Sequence, residues 1–132
     1  MGFNLSEQMK GIQHIGIPTD DIKKTISFYE KMGFEAAYRT INEVAGEKMA
    51  FMRLNSLTLE IYENHSAKMM SGAIDHIAID VKDIEIVYEQ INAADLNTTK
   101  DIIHFLPFWE KGVRFFTIEG PNKERIEFSQ YL

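Results

Sequence analysis

The apolar and polar positions of this chain form short alternating stretches interrupted twice by a helical spacing, and the whole pattern occurs two times over. Between residues 12 and 17, Ile15 and Ile17 share one face while Ile12, His14 and Gly16 share the other, a period of two that predicts a strand. Thr19, Asp20 and Asp21 then offer capping side chains, Ile22, Ile26 and Tyr29 follow at helical spacing, and Gly33 supplies a stop, which predicts a helix over 20–32. Alternation resumes over 35–42, 47–54 and 57–62, with Glu43-Val44-Ala45-Gly46 and Asn55-Ser56 as hairpin turns. Residues 63–72 carry no period and read as a linker. Beyond it the pattern predicts a strand over 73–81, a helix over 84–94 and strands near 98–105, 112–119 and 124–131. Phe105-Leu106-Pro107-Phe108-Trp109 is the one long departure from the first copy, and Pro107, which has no N–H for a sheet ladder, predicts a loop there.

The two copies match in detail. Gln13-His14-Ile15-Gly16-Ile17 returns as Asp75-His76-Ile77-Ala78-Ile79, with Asp21 and Asp83 at the same spacing, 76 − 14 = 83 − 21 = 62. Self-similarity at a fixed offset marks a duplicated unit whose twins meet where the units pack. The reading is an α+β fold: one domain spanning 1–132, built of two strand-helix-three-strand modules at 11–62 and 73–131 joined by the linker 63–72.

Composition narrows the function classes. The 132 residues are 45% hydrophobic and 26% charged, enough for one substantial core. A formal net charge of −6 argues against a nucleic-acid partner, because phosphate binding needs clustered Lys and Arg, and Lys23-Lys24 is the only basic doublet. Without cysteine, thiolate chemistry and Cys-ligated zinc are excluded, so any metal must rest on His, Asp or Glu. No apolar run is long enough to span a bilayer, and a cytoplasmic protein with no membrane partner is the default.

The residues that carry chemistry are the repeated ones. In each copy the histidine shares its face with a small residue two positions on, Gly16 or Ala78, which leaves room beside the imidazole. On each module's last strand Glu60 and Glu127 lie opposite the apolar face formed by Leu59 and Ile61 or Ile126 and Phe128. Either histidine or either glutamate alone is most simply a solvated strand residue. Recurrence of both types in both copies points instead to a shared site with two imidazoles, two carboxylates and open positions, suited to a divalent ion such as Ni, Zn, Mn or Co. His65 belongs to the polar linker and His104 reads as a satisfied loop histidine. Phe105, Phe108 and Trp109 are candidates for the wall of a small-molecule pocket, though core packing or a subunit interface explains them equally well.

The chain resembles the vicinal oxygen chelate superfamily of glyoxalase I, extradiol dioxygenases, methylmalonyl-CoA epimerase, fosfomycin resistance enzymes and bleomycin-binding proteins. The likeness rests on His14-Ile15-Gly16-Ile17 with Asp21-Ile22, on Ser27-Phe28-Tyr29-Glu30-Lys31-Met32-Gly33-Phe34, on Leu59-Glu60-Ile61-Tyr62, on Asp75-His76-Ile77-Ala78, and on Glu119-Gly120-Pro121-Asn122 leading to Arg125-Ile126-Glu127-Phe128. It implies paired βαβββ modules that form a curved, cup-like mixed sheet around a metal held at the positions of His14, Glu60, His76 and Glu127. A carboxylate at Glu60 is the glyoxalase I pattern; dioxygenases and fosfomycin enzymes lack one there and the epimerases tend to carry Gln. Two positions depart from the pattern: Pro18 replaces an Arg that helps hold glutathione, and Lys123 stands where the last turn usually has Gly, while Asn64 matches a polar glutathione contact.

The expectation is therefore a metal-dependent glyoxalase I-like lyase or isomerase acting through an enediolate on a small α-hydroxycarbonyl or hemithioacetal. Glu127 is the expected base and Glu60 the carboxylate opposite it. The alternatives are an epimerase using the same enolate, a drug-binding resistance protein without catalysis, and an oxygen-activating iron enzyme. The resemblance also implies a homodimer, in which the modules that build one site come from one chain or from two.

Overall fold

The computed structural model describes residues 5–8 and 10–132. After a short 3₁₀ turn, Leu5–Gln8, the elements run β1 (Ile15–Thr19), α1 (Ile22–Lys31), β2 (Glu35–Asn42), β3 (Glu47–Leu54), β4 (Leu57–Glu63), β5 (Ile77–Asp80), α2 (Ile84–Ala93), β6 (His104–Leu106), β7 (Val113–Glu119) and β8 (Arg125–Tyr131). They form two four-stranded mixed sheets of the same topology, ordered β1-β4-β3-β2 and β5-β8-β7-β6. In each, the first strand runs parallel to the last and the rest pair antiparallel.

Each helix starts where a side chain satisfies its free N–H groups. Asp21 caps α1 by accepting from Lys24 N, and Asp83 caps α2 by accepting from Glu85 N and Ile86 N. The last strand of each sheet reaches over to the same helix end: Glu63 Oε2 accepts from Ile22 N at 2.8 Å and Gln130 Oε1 from Ile84 N at 2.8 Å. Helix and sheet are thereby tied at equivalent points in both copies. Gly33, at φ 98°, takes the left-handed turn that ends the first helical segment.

The helical faces and the inner faces of both sheets share one core. Ile22, Ile26 and Tyr29 of α1 pack in the same cluster as Ala50, Met52, Leu59 and Ile61, and this cluster continues into Ile84, Ile91, Phe116, Ile118, Ile126 and Phe128. A polar seam crosses between the copies: Tyr29 Oη donates to Glu124 Oε2 at 2.8 Å, and Asn122 Nδ2 donates to Thr25 Oγ1 at 3.1 Å, which also bonds Thr19 Oγ1. Burial, with the Glu124 carboxylate beside it, pushes the Tyr29 hydroxyl well above its ordinary pKa.

Three predicted strands are shorter than their sequence pattern. β1 and β5 begin at Ile15 and Ile77 rather than at 12 and 73, because Ile12 and Ile74 have no ladder partner and are exposed. The segment 98–105 contributes only β6, since Asn97 and Asp101 hold its first half in a loop: Asn97 Nδ2 donates to Asp101 O, Asp101 N to Asn97 Oδ1, and Thr117 N to Asp101 Oδ2. Phe105 and Leu106 consequently belong to the sheet, and the loop begins at Pro107.

The departure between copies is spread out rather than concentrated at 105–109. Matching ladder positions give offsets of 78 − 16 = 62 for β5 over β1, 104 − 40 = 64 for β6 over β2, 115 − 49 = 66 for β7 over β3 and 127 − 60 = 67 for β8 over β4. Each connection absorbed a residue or two, which loops tolerate at little cost. At the last turn Lys123 takes the left-handed conformation, φ 64°, and its Nζ lies 3.2 Å from Glu119.

Both β1 and β5 are edge strands. Thr19 turns its carbonyl toward the continuation of β4, accepting from His65 N at 3.2 Å, so the neighbouring Pro18 occupies a position that faces the free side. No described helix is long and apolar enough to cross a membrane.

Candidate functional site

The strands bring each repeated histidine to the glutamate of its own copy. Gly16 of β1 pairs with Glu60 of β4, and Ala78 of β5 pairs with Glu127 of β8, so the small residue foreseen beside each imidazole sits next to the carboxylate. His14 and His76 lie just before their strands, and their Nε2 atoms are 3.3 Å from Glu60 Oε2 and 3.8 Å from Glu127 Oε2. His14 also meets the edge of Phe51 at 6.2 Å, and Phe51 in turn lies 6.0 Å from Tyr38.

The other ring nitrogen is engaged as well. His14 Nδ1 is 2.9 Å from Gln13 Oε1, and His76 Nδ1 is 2.9 Å from Asp75 Oδ2. The hydrogen bond with His76 holds the Asp75 carboxyl below the usual carboxylate range; partial desolvation opposes this and Arg125, at 3.1 Å, assists it. Sequence reasoning passed over Gln13 and Asp75, although an acceptor directly precedes each repeated histidine and was the signal available.

Within one chain the two pairs do not merge. Among the described residues, no group of three or more His, Asp or Glu side chains is placed to hold an ion. The four candidate ligands thus stand as two half-sites on separate sheets, with His14 and His76 35% and 42% exposed, open enough to be completed from outside. The donor set suits a divalent ion: two imidazoles, each with one ring nitrogen turned toward a glutamate carboxylate and a side-chain oxygen beside its far nitrogen.

A cavity of about 400 Å³ opens over the second half-site, lined by His76 and Glu127 with Leu106, Phe108, Trp109, Phe115 and Tyr131. Two of the predicted wall residues, Phe108 and Trp109, line it, and Trp109 meets Tyr131 edge-to-face at 5.8 Å. Phe105 does not line it: strand alternation turns it to the opposite face, where its ring covers Gly112, and Leu106 takes the inward position. Asn64 follows β4, with its Oδ1 accepting from Ser66 N at 2.9 Å, a turn-forming bond. His104 is not in a loop. As the first residue of β6 it pairs with Phe115, on the face that carries Ser129 and Glu127, with its Nε2 2.8 Å from Asp101 Oδ1. Burial raises the Asp101 pKa, but hydrogen bonds from His104, Thr117 N and Ile102 N outweigh it and leave that carboxyl below its ordinary value.

Two four-stranded mixed sheets of one topology, each with its helix, define a duplicated α+β scaffold, and comparison with known proteins identifies its family. Residues 11–128 match the glyoxalase/bleomycin resistance protein/dioxygenase superfamily, to which the chain belongs. The uncharacterized protein YwbC of Bacillus subtilis (strain 168) is 31% identical over 126 residues, covering 92% of this chain and 98% of that protein. A glyoxalase family protein from Enterococcus faecalis superposes with a TM-score of 0.73 at 21% identity, over 92% of this chain and 98% of the other. The fosfomycin resistance protein FosX from Listeria monocytogenes, solved with Mn(II) and sulfate, superposes with a TM-score of 0.69 at 19% identity and 94% coverage of both chains. The superfamily likeness and the mixed α+β fold with two helices are as the sequence led one to expect.

Proposed function

We propose that this protein is a metal-dependent, glyoxalase I-like isomerase that works as a homodimer, each centre combining His14 and Glu60 of one chain with His76 and Glu127 of the partner chain. The observation that carries the reading is the pair of twin half-sites, each with an imidazole Nε2 turned to a glutamate and each left open within the chain. Glu60 favours the isomerase over relatives that lack a carboxylate at that position. The FosX structure with Mn(II) supports a divalent ion in this fold, here Ni, Zn, Mn or Co.

A bound divalent ion would supply Lewis-acid stabilisation of the oxyanion that develops as a carbon acid loses its proton, worth several kcal/mol. The chain's own groups do the rest. Glu127, beside the cavity, takes the proton from the hydroxyl-bearing carbon next to the substrate carbonyl and, as the carboxylic acid so formed, returns it to the neighbouring carbon; Glu60, on the opposite side, takes the hydroxyl proton of the first carbon and passes it to the former carbonyl oxygen, so both carboxylates end as they began. Phe108, Trp109 and Leu106 present an apolar wall to a small α-hydroxycarbonyl or hemithioacetal.

The test is elemental analysis of the purified protein combined with turnover of the methylglyoxal–glutathione hemithioacetal. The expected result is about one ion per chain with isomerase activity that chelation removes and metal restores. Absence of any bound ion overturns the metalloenzyme reading, and full occupancy without turnover removes the glyoxalase activity.

A further inference from the structure

We propose that Gln13 and Asp75 are positioning residues that hold His14 and His76 with the hydrogen on Nδ1 and the lone pair on Nε2, so that each ring offers Nε2 to a metal. The proposal rests on the metal reading above but concerns the rings before any ion arrives.

Three observations carry it. First, the contact recurs at twin positions with the same atoms: Nδ1 to a side-chain oxygen of the preceding residue, 2.9 Å in each copy. The residue itself differs between copies, Gln in one and Asp in the other, so what the two halves share is an acceptor oxygen rather than a particular side chain. Second, an ionised carboxylate can only accept, so the hydrogen of the Asp75 contact belongs to His76 Nδ1; in a neutral ring this leaves Nε2 bare. Third, the bare nitrogen does not face a donor. In each half it faces a glutamate oxygen, Glu60 at 3.3 Å and Glu127 at 3.8 Å. Two acceptors converging on one gap repel each other unless a cation lies between them, so this tautomer makes the gap a cation site.

The halves are not equal. Asp75 is clamped by Arg125 Nη1 at 3.1 and 3.3 Å, and Arg125 lies two residues before Glu127 on β8, so the second half-site ties its orienting carboxylate to the strand that carries its own glutamate. A charged partner also makes an imidazole a stronger ligand than an amide does. The second half-site is therefore the tighter of the two, and Asp75 matters more than Gln13.

Nitrogen–proton correlation spectra of the metal-free protein at about pH 9, where imidazoles are uncharged, read the tautomers directly. The wild type is expected to show Nδ1–H for both His14 and His76, with His104 as an internal contrast in the Nε2–H form, because its Nε2 is the atom facing Asp101. In Q13M and D75L the affected ring shifts toward Nε2–H, and the affinity for Zn²⁺ in chelator competition falls about tenfold or more. D75N, which keeps an acceptor oxygen, retains the tautomer and loses less affinity. Nε2–H at His14 and His76 in the wild type, or zinc affinity within about twofold of wild type in both Q13M and D75L, overturns the proposal. A wild type that binds no metal but shows Nδ1–H at both rings sinks the metalloenzyme reading while leaving the ring orientation standing.

Discussion

At the scale of single residues, the candidate ligands were legible because the chain states them twice, and a side chain that recurs in both copies beside a small residue is more than a solvated strand position. What could not be read was where each ring nitrogen points, since that depends on the backbone turning Gln13 and Asp75 alongside their own neighbours. Glu127→Gln keeps shape and polarity but cannot take a proton, so turnover of the hemithioacetal should fall by about 100-fold or more with the fold intact, as general-base losses do. Circular dichroism and steady-state kinetics on one preparation decide it; unchanged turnover removes Glu127 from the role. Lys123 gives a prediction of opposite sign. Held at φ 64° with only an exposed ion pair in return, it should be replaced by Gly with a gain of about 0.5–1 kcal/mol, seen as a higher urea midpoint.

At the scale of elements, periodicity located both helices to within a residue or two, since Asp21 and Asp83 declare their starts in the sequence. It failed at 98–105 because side chains there outcompete the ladder: Asp101 accepts from Thr117 N and His104 and keeps the backbone in a loop. A carboxyl whose pKa is depressed by folding contributes stability above its unfolded value, near pH 4, and loses it as pH falls through the lower folded value. Asp101→Asn should therefore destabilise the protein near neutrality, and the gap from wild type should narrow as urea unfolding is repeated from about pH 5 down to pH 3. A gap that stays constant with pH would show that the carboxylate charge is not what holds this loop. The seam between copies behaves differently. Tyr29→Phe removes a hydroxyl that donates to Glu124 and should cost about 1–3 kcal/mol, read from the same unfolding curves.

At the scale of the whole molecule, the sequence foretold a duplicated α+β fold but not how the halves would face. The shared core draws the helical sides of both sheets together, leaving the two histidine–glutamate pairs on separate sheets within the chain. Hydrophobic patterning marks which face is buried and is silent on which way the opposite face looks. If centres form between chains, His14→Ala and His76→Ala chains should each be inactive alone. Unfolded together and refolded as a mixture, they should regain about a quarter of wild-type activity, because half the dimers are mixed and one of the two centres in each is intact. A mixture as dead as its components would place each centre within a single chain.

Pro18 also bears on how molecules meet. On the free side of an edge strand it presents no N–H, so an incoming backbone cannot extend the sheet past that point. Chains that meet there must recognise each other through shape and side chains, and the border that starts at Ile15 is guarded against ribbon-like polymerisation.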